Sequence, residues 1–64
     1  MNDKIKVNYR ERHYIDPFRC YDIYHSCVLW YPWKVGGILY GYQDKTRINA
    51  MGFSDDDIIS IDNL

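Results

Sequence analysis

Apolar and polar residues alternate along the first part of the chain, which predicts a β-strand from Lys4 to Arg12. Ile5, Val7 and Tyr9 would share one face of this strand. The opposite face would carry the polar side chains of Lys4, Lys6, Asn8, Arg10 and Arg12. One face can therefore join a core, while the charges of the other face keep the strand from pairing with foreign chains.

The segment from Asp16 to Tyr31 fits two structures. Asp16 followed by Pro17 is typical of a helix start. A single helical stripe would then comprise Cys20, Tyr21, Tyr24, Cys27, Val28 and Tyr31. The composition instead favours a strand, because Tyr, Ile, Val and Trp form strands better than helices. We therefore predict a strand over residues 24–31 and keep a helix at about residues 17–30 as the alternative.

Short elements joined by turns are predicted for the rest of the chain. Pro32 to Gly37 is expected to form a turn, and Ile38 to Tyr42 and Thr46 to Ala50 a hairpin around residues 43–45. Ser54 to Asp57 resembles a single capped turn. Ile58 to Ile61 follows as a closing strand or a short helix.

These elements predict one mainly β domain over residues 1–64. The expected architecture is a small four- or five-stranded antiparallel sheet or an SH3-like half-open barrel. If residues 17–30 are helical, the fold becomes α+β, with that helix packed on three or four antiparallel strands. Core burial barely balances the entropy of ordering at this length, so we also expect a homodimer.

Aromatic side chains are unusually dense: ten of the eleven lie between Tyr9 and Tyr42. Either all are needed in the core, because Leu and Ala are scarce, or some remain outside and contact a partner. For the second case the expected anchors are Trp30, Tyr31, Trp33, Tyr40 and Tyr42, with Tyr24 in the same belt. Trp and Tyr are the residues that most often dominate binding energy at interfaces.

The net charge of -1 is unevenly distributed along the chain. Asp55, Asp56 and Asp57 form an acidic run that would steer a basic partner, although such runs more often cap a turn. The basic face of the first strand offers a second hypothesis, because cations spaced along a strand can follow a nucleic-acid backbone. Its residues are Lys4, Lys6, Arg10 and Arg12. A slightly acidic chain is unusual for a nucleic-acid binder.

Four side chains with soft ligand atoms are present, namely His13, Cys20, His25 and Cys27. None of their spacings matches a zinc knuckle, so we expect no metal and no other cofactor. Two cysteines without a signal sequence are expected to be free thiols, with a bridge between them as the alternative. We find no nucleophile elbow, phosphate loop or zinc-protease motif, and therefore expect no enzyme and no catalytic residue.

Taken together, these patterns favour a small cytoplasmic protein that binds another protein, host or viral, as a stoichiometric inhibitor or an adaptor. A nucleic-acid-binding module is the alternative. No apolar run is long enough to cross a bilayer, so no membrane association is expected. The many Ile, Tyr and Asp residues beside a single Ala indicate an AT-rich coding sequence, as in a phage or another mobile element.

Overall fold

A computed structural model describes residues 3–64 as one open antiparallel sheet of five strands. The strands are β1 (Lys4–Asp16), β2 (Arg19–Val35), β3 (Ile38–Tyr42), β4 (Ala50–Ser54) and β5 (Ile58–Asn63). They lie in the order β4-β3-β2-β1-β5, so the last strand closes against the first. The structure confirms the mainly β class with a small antiparallel sheet.

The first hairpin is much longer than the rest of the sheet. β5 pairs with β1 only as far as Tyr9, and β3 pairs with β2 only from Trp30 onwards. Residues 10–24 therefore form a two-stranded ribbon that projects beyond the other strands. We call this segment the ribbon. It makes the molecule elongated, with extents of 42 × 19 × 19 Å.

A small core lies on one face of the sheet, which we call the core face. Ile5, Val7, Leu29 and Leu39 are buried there. Half-buried side chains that surround them are Tyr9, Cys27, Met51, Phe53 and Ile58. The sheet curls enough for the Tyr9 and Phe53 rings to lie 4.5 Å apart, although β1 and β4 are not neighbouring strands. The predicted inward face of the first strand is therefore confirmed.

The helical alternative for residues 17–30 is wrong, because β2 is extended from Arg19 to Val35. Asp16 and Pro17 begin a turn instead of a helix. The Asp16 carboxylate accepts hydrogen bonds from the backbone N–H groups of Phe18, at 2.8 Å, and Arg19, at 3.0 Å. The same side chain that caps helices thus serves a hairpin turn here.

Two further boundaries differ from the sequence prediction. The expected turn over Pro32 to Gly37 is shorter, since β2 continues to Val35 and only Gly36 and Gly37, both with positive φ, turn the chain. The strand expected over Thr46 to Ala50 is wrong. β4 begins at Ala50, after a loop in which the Asp44 carboxylate binds the hydroxyl and backbone N–H of Thr46.

The segment before β5 follows the prediction. Asp55–Asp57 is a single 3-10 turn capped by Ser54, whose hydroxyl accepts the Asp56 backbone N–H. Residues 58–63 then form a strand, which excludes the short helix as the alternative. Within residues 3–64, no helix is long and apolar enough to cross a membrane.

Candidate functional site

Large aromatic side chains collect on the face of the sheet opposite the core. Leu29 and Leu39 point into the core, so their neighbours Trp30 and Tyr40 point to the other side. The Trp33 ring stacks on Tyr40 with centroids 5.4 Å apart and lies 5.1 Å from Tyr42. β2 and β3 therefore display a continuous aromatic cluster.

Tyr31 extends this cluster at an irregularity of β2. Its φ of 50° is unusual for a residue with a side chain and coincides with the break in the β2–β3 register. The bulge sets the Tyr31 ring beside Trp30, at 6.1 Å, and the Arg47 guanidinium lies over the Tyr31 ring at 4.1 Å. Lys4 Nζ lies 5.0 Å above the Trp30 ring. Cations thus cover part of the ring faces.

We call this set the aromatic surface: Trp30, Tyr31, Trp33, Tyr40 and Tyr42. Trp33 is 38% exposed, and the other four side chains are half-buried against one another. Among residues 3–64, the fully buried core contains only aliphatic side chains. These five aromatic side chains therefore lie outside the buried core. Their flat, rigid rings offer contact area at low entropic cost.

Tyr24 does not belong to the aromatic surface. It lies on the ribbon, 67% exposed, about 20 Å along β2 from Trp30. The ribbon carries further exposed apolar side chains that the sequence did not single out as a group. They are Tyr14, Ile15, Phe18, Tyr21 and Ile23. Phe18, at the tip, is 97% exposed.

The acidic run is tied into the fold by ion pairs. Asp55 lies 2.9 Å from Lys34 Nζ, and its backbone N–H donates to the Gly37 carbonyl at 3.0 Å. Asp57 lies 3.7 Å from Arg10 Nε, and Arg10 also donates to the Asp56 carbonyl at 3.0 Å. These contacts hold the segment before β5 against β1 and the β2–β3 turn. The acidic run is not part of the aromatic surface.

The basic side chains of β1 do share one face, as predicted, but two of them are paired. Arg12 donates to both oxygens of Asp22 on the neighbouring strand, at 2.9 and 3.4 Å, and this hydrogen bonding lowers the pKa of Asp22. Arg10 is held by the acidic turn. Lys4 and exposed Lys6 remain as the less constrained cations. The pairing reduces the positive field that a phosphate backbone would meet.

Two histidines meet at one carboxylate, an arrangement that no motif in the sequence indicates: His13 lies on the ribbon and His25 directly follows the ribbon on β2. His13 Nε2 lies 2.6 Å and His25 Nε2 3.4 Å from the two carboxylate oxygens of Glu11. Each imidazole also stacks on a tyrosine, His13 on Tyr21 and His25 on Tyr9. The strand period and the hairpin register together would have placed these groups on one face. No group of three His, Cys, Asp or Glu within residues 3–64 is arranged to hold a metal ion.

The alternative of a bridge between the two cysteines is wrong. Cys20 and Cys27 lie on the same extended strand, about 23 Å apart, whereas a disulfide needs Cα atoms within about 7 Å. Cys20 is exposed and Cys27 is half-buried beside the core. Burial raises the pKa of the Cys27 thiol.

A shallow cleft lies between the base of the ribbon and the end of β4. It is lined by Tyr9, Arg10, Glu11, Arg12, Gly52, Phe53, Ser54 and Asp57. Its charged groups are mostly engaged with each other or with neighbours, as in the pairs formed by Arg10 and Arg12. Tyr9 lines this cleft, and burial raises the pKa of its phenol. The cleft therefore has mixed and largely balanced charge.

Comparison of the chain with protein-family models, with curated proteins and with solved structures found no match.

Proposed function

We propose that the protein acts by binding another protein through the aromatic surface. The observation that supports this is the stacked cluster of Trp33, Tyr40 and Tyr42 on the face opposite the core. Trp and Tyr concentrate binding energy when a partner removes them from water. In this proposal the protein is a stoichiometric inhibitor or adaptor of a larger macromolecule in the cytoplasm, and Trp33 is its central anchor.

The acidic turn would play a smaller part in this proposal. Asp55 and Asp57 already face Lys34 and Arg10, so they contribute less to the attraction of a basic partner than free carboxylates would. Asp56 is exposed and has only its backbone engaged. We therefore assign steering to Asp56 and affinity to the aromatic surface.

The experiment is capture from a lysate of the source organism or its host, followed by titration of the purified partner. Immobilised wild-type protein is compared with Trp33→Ala and with Phe18→Ala, which removes an exposed ring outside the aromatic surface. Trp33→Ala is expected to raise the dissociation constant at least about thirtyfold, as for an interface hot spot. Phe18→Ala should retain wild-type affinity. Equal binding by Trp33→Ala and wild type would refute the assignment.

Nucleic-acid binding is a second candidate because Lys4 lies directly over Trp30 on the same face as Lys6. Aromatic rings beside cations form the usual platform for single-stranded nucleic acid. This candidate requires affinity for a single-stranded oligonucleotide that falls steeply with salt and is lost in a Lys4→Ala/Lys6→Ala variant. The ion pairs of Arg10 and Arg12 lead us to expect no such binding, which fluorescence anisotropy at low salt would check.

A further inference from the structure

Within residues 3–64, no strand pairs with one edge of β2 over residues 19–29. β1 pairs with the other edge of this segment, and β3 joins β2 only from Trp30 onwards. The free edge is about 36 Å long, which exceeds the whole length of β4 or β5. Unpaired N–H and C=O groups along such an edge form a template for another strand.

The free edge of β2 is poorly protected compared with that of β1. Beyond Tyr9, β1 carries the sequence RERHYID, in which four of seven side chains are charged at neutral pH. The side chains of β2 within residues 19–29 that are charged at neutral pH are only Arg19 and Asp22. Both are neutralised within the ribbon, Arg19 by Asp16 at 2.6 Å and Asp22 by Arg12 at 2.9 Å. The features by which proteins block edge pairing are thus concentrated on β1.

Both faces of the ribbon beside this edge expose apolar side chains. Tyr21 and Ile23, on the core face, are 50% and 40% exposed, and Tyr24, on the other face, is 67% exposed. A two-stranded ribbon without a third strand is only marginally stable in water. A strand added along β2 would supply both the missing hydrogen bonds and apolar contacts on each face.

We propose that a second copy of this chain fills the edge, with the two β2 strands pairing antiparallel about a two-fold axis. Such an axis is perpendicular to the sheet, so each face continues into the same face of the partner subunit. Tyr42 occupies the position beside Trp30, so the partner's ribbon tip must stop short of it. The longest overlap that respects this limit pairs residues 19–27 of each copy and places the axis at Ile23.

The contacts in this arrangement are self-complementary. Ile23 meets the partner subunit's Ile23 at the axis, Tyr21 meets the partner's His25, and Asp22 meets the partner's Tyr24. No like charges lie directly opposite each other in the overlapping segment, and a phenol beside a carboxylate is a suitable hydrogen-bond donor. A foreign extended segment would have to reproduce this pattern, whereas a second copy carries it automatically.

The proposal is tested by sedimentation equilibrium of the full chain from micromolar to millimolar concentration. Wild type is expected to shift from monomer to dimer and no further. Ile23→Lys should remain monomeric, because it sets two cations against each other at the axis. Within one chain the new cation faces Glu11, the residue opposite Ile23 on β1, so the monomer should stay folded. Circular dichroism verifies this.

The matched control is Ile59→Lys, which makes the same change at a 55% exposed isoleucine on β5. It should dimerise like wild type. A wild type that stays monomeric at every concentration, assemblies that grow beyond the dimer, or a dimer that Ile23→Lys does not weaken would each overturn the proposal.

Cross-linking locates the axis independently. In a Cys20→Ser/Cys27→Ala background, Ile23→Cys should form a disulfide-linked dimer on oxidation, while Ile59→Cys should not. Equal cross-linking of both would contradict the assigned edge. The dimer edge is separate from the aromatic surface, so Trp33→Ala should still dimerise and Ile23→Lys should still bind the captured partner. Failure of either proposal can therefore be recognised without the other.

Discussion

Gly41 of β3 lies directly against Leu29 of β2. A Cβ atom placed on Gly41 would come within 2.6 Å of Leu29 Cβ and 3.0 Å of its Cδ1. Leu29 is fully buried and belongs to the core cluster. The absence of a side chain at Gly41 therefore allows the two strands to close over the core, while their other faces carry the aromatic surface.

Gly41→Ala is expected to destabilise the fold by about 1–3 kcal/mol, because the added methyl group must displace Leu29 or separate the strands. The measurement is the free energy of unfolding from urea titration. Gly52→Ala on β4 is the comparison: its Cβ would contact the ring of half-buried Tyr40 at 3.0 Å, and a ring can rotate away more easily than the Leu29 Cβ can move. A loss for Gly41→Ala no larger than that for Gly52→Ala would contradict this explanation.

The parts of the fold that follow local rules were predictable from the sequence. Strict alternation from Lys4 to Arg12 identified β1 and its inward residues, and Ser54 followed by three aspartates identified the capped turn. Residues 24–31 were correctly assigned to a strand on composition alone. In each case the residues that determine the local structure are close neighbours in the sequence.

The features that were mispredicted depend on distant contacts. Pro32 was expected to turn the chain, but β2 passes through it with a bulge at Tyr31, whose ring is held between Trp30 and Arg47. The β4 boundary depends on pairing with β3, since Ala50 lies opposite Tyr42. No local pattern at Thr46 contains that information.

The candidate site was predictable in composition but only partly in geometry. The five predicted anchors lie on one surface, whereas Tyr24, predicted in the same belt, lies far from them because the β1–β2 hairpin is long. That length is set by a turn at Asp16 and Pro17, a pair of residues that is also typical of a helix start. The free edge of β2 results from the same hairpin length, so the sequence does not predict it either.

Acid should destabilise the protein below about pH 4. Hydrogen bonds from Arg12 hold the pKa of Asp22 below its ordinary value of 3.8, and hydrogen bonds from Phe18 and Arg19 do the same for Asp16. The folded state therefore binds these protons at a lower pH than the unfolded state. Their stabilising contribution is present above pH 3.8 and is lost as the pH falls through the folded-state pKa.

The check is urea denaturation over a series of acidic pH values. Asp22→Asn should be less stable than wild type at neutral pH and should lose less stability on acidification, because one of the responsible carboxylates is gone. If the free energy of unfolding fell with pH equally steeply in Asp22→Asn and wild type, the ion pair between Arg12 and Asp22 would not cause the loss of stability in acid.

The two cysteines should differ in reactivity towards alkylating reagents. Cys20 is exposed on the ribbon, whereas Cys27 is half-buried beside the core and burial raises its pKa. The thiolate is the reactive form, so iodoacetamide should modify Cys20 first in dilute folded protein. Mass spectrometry of peptides after timed quenching measures both rates. In urea the two rates should converge, and a faster reaction of Cys27 in the folded protein would refute the assigned burial.

The turn at the ribbon tip should depend on Asp16 and not on the ring beside it. Asp16→Ala removes the acceptor for the backbone N–H groups of Phe18 and Arg19, so hydrogen exchange at both amides is expected to accelerate. Asp16→Asn keeps a side-chain oxygen in place and should preserve most of the protection, although it loses the ion pair with Arg19. Phe18→Ala removes a side chain that is 97% exposed and should change the free energy of unfolding by less than about 0.5 kcal/mol. Equal exchange rates in Asp16→Ala and wild type would show that the strands alone hold the turn, because their pairing continues from Tyr14 and Cys20.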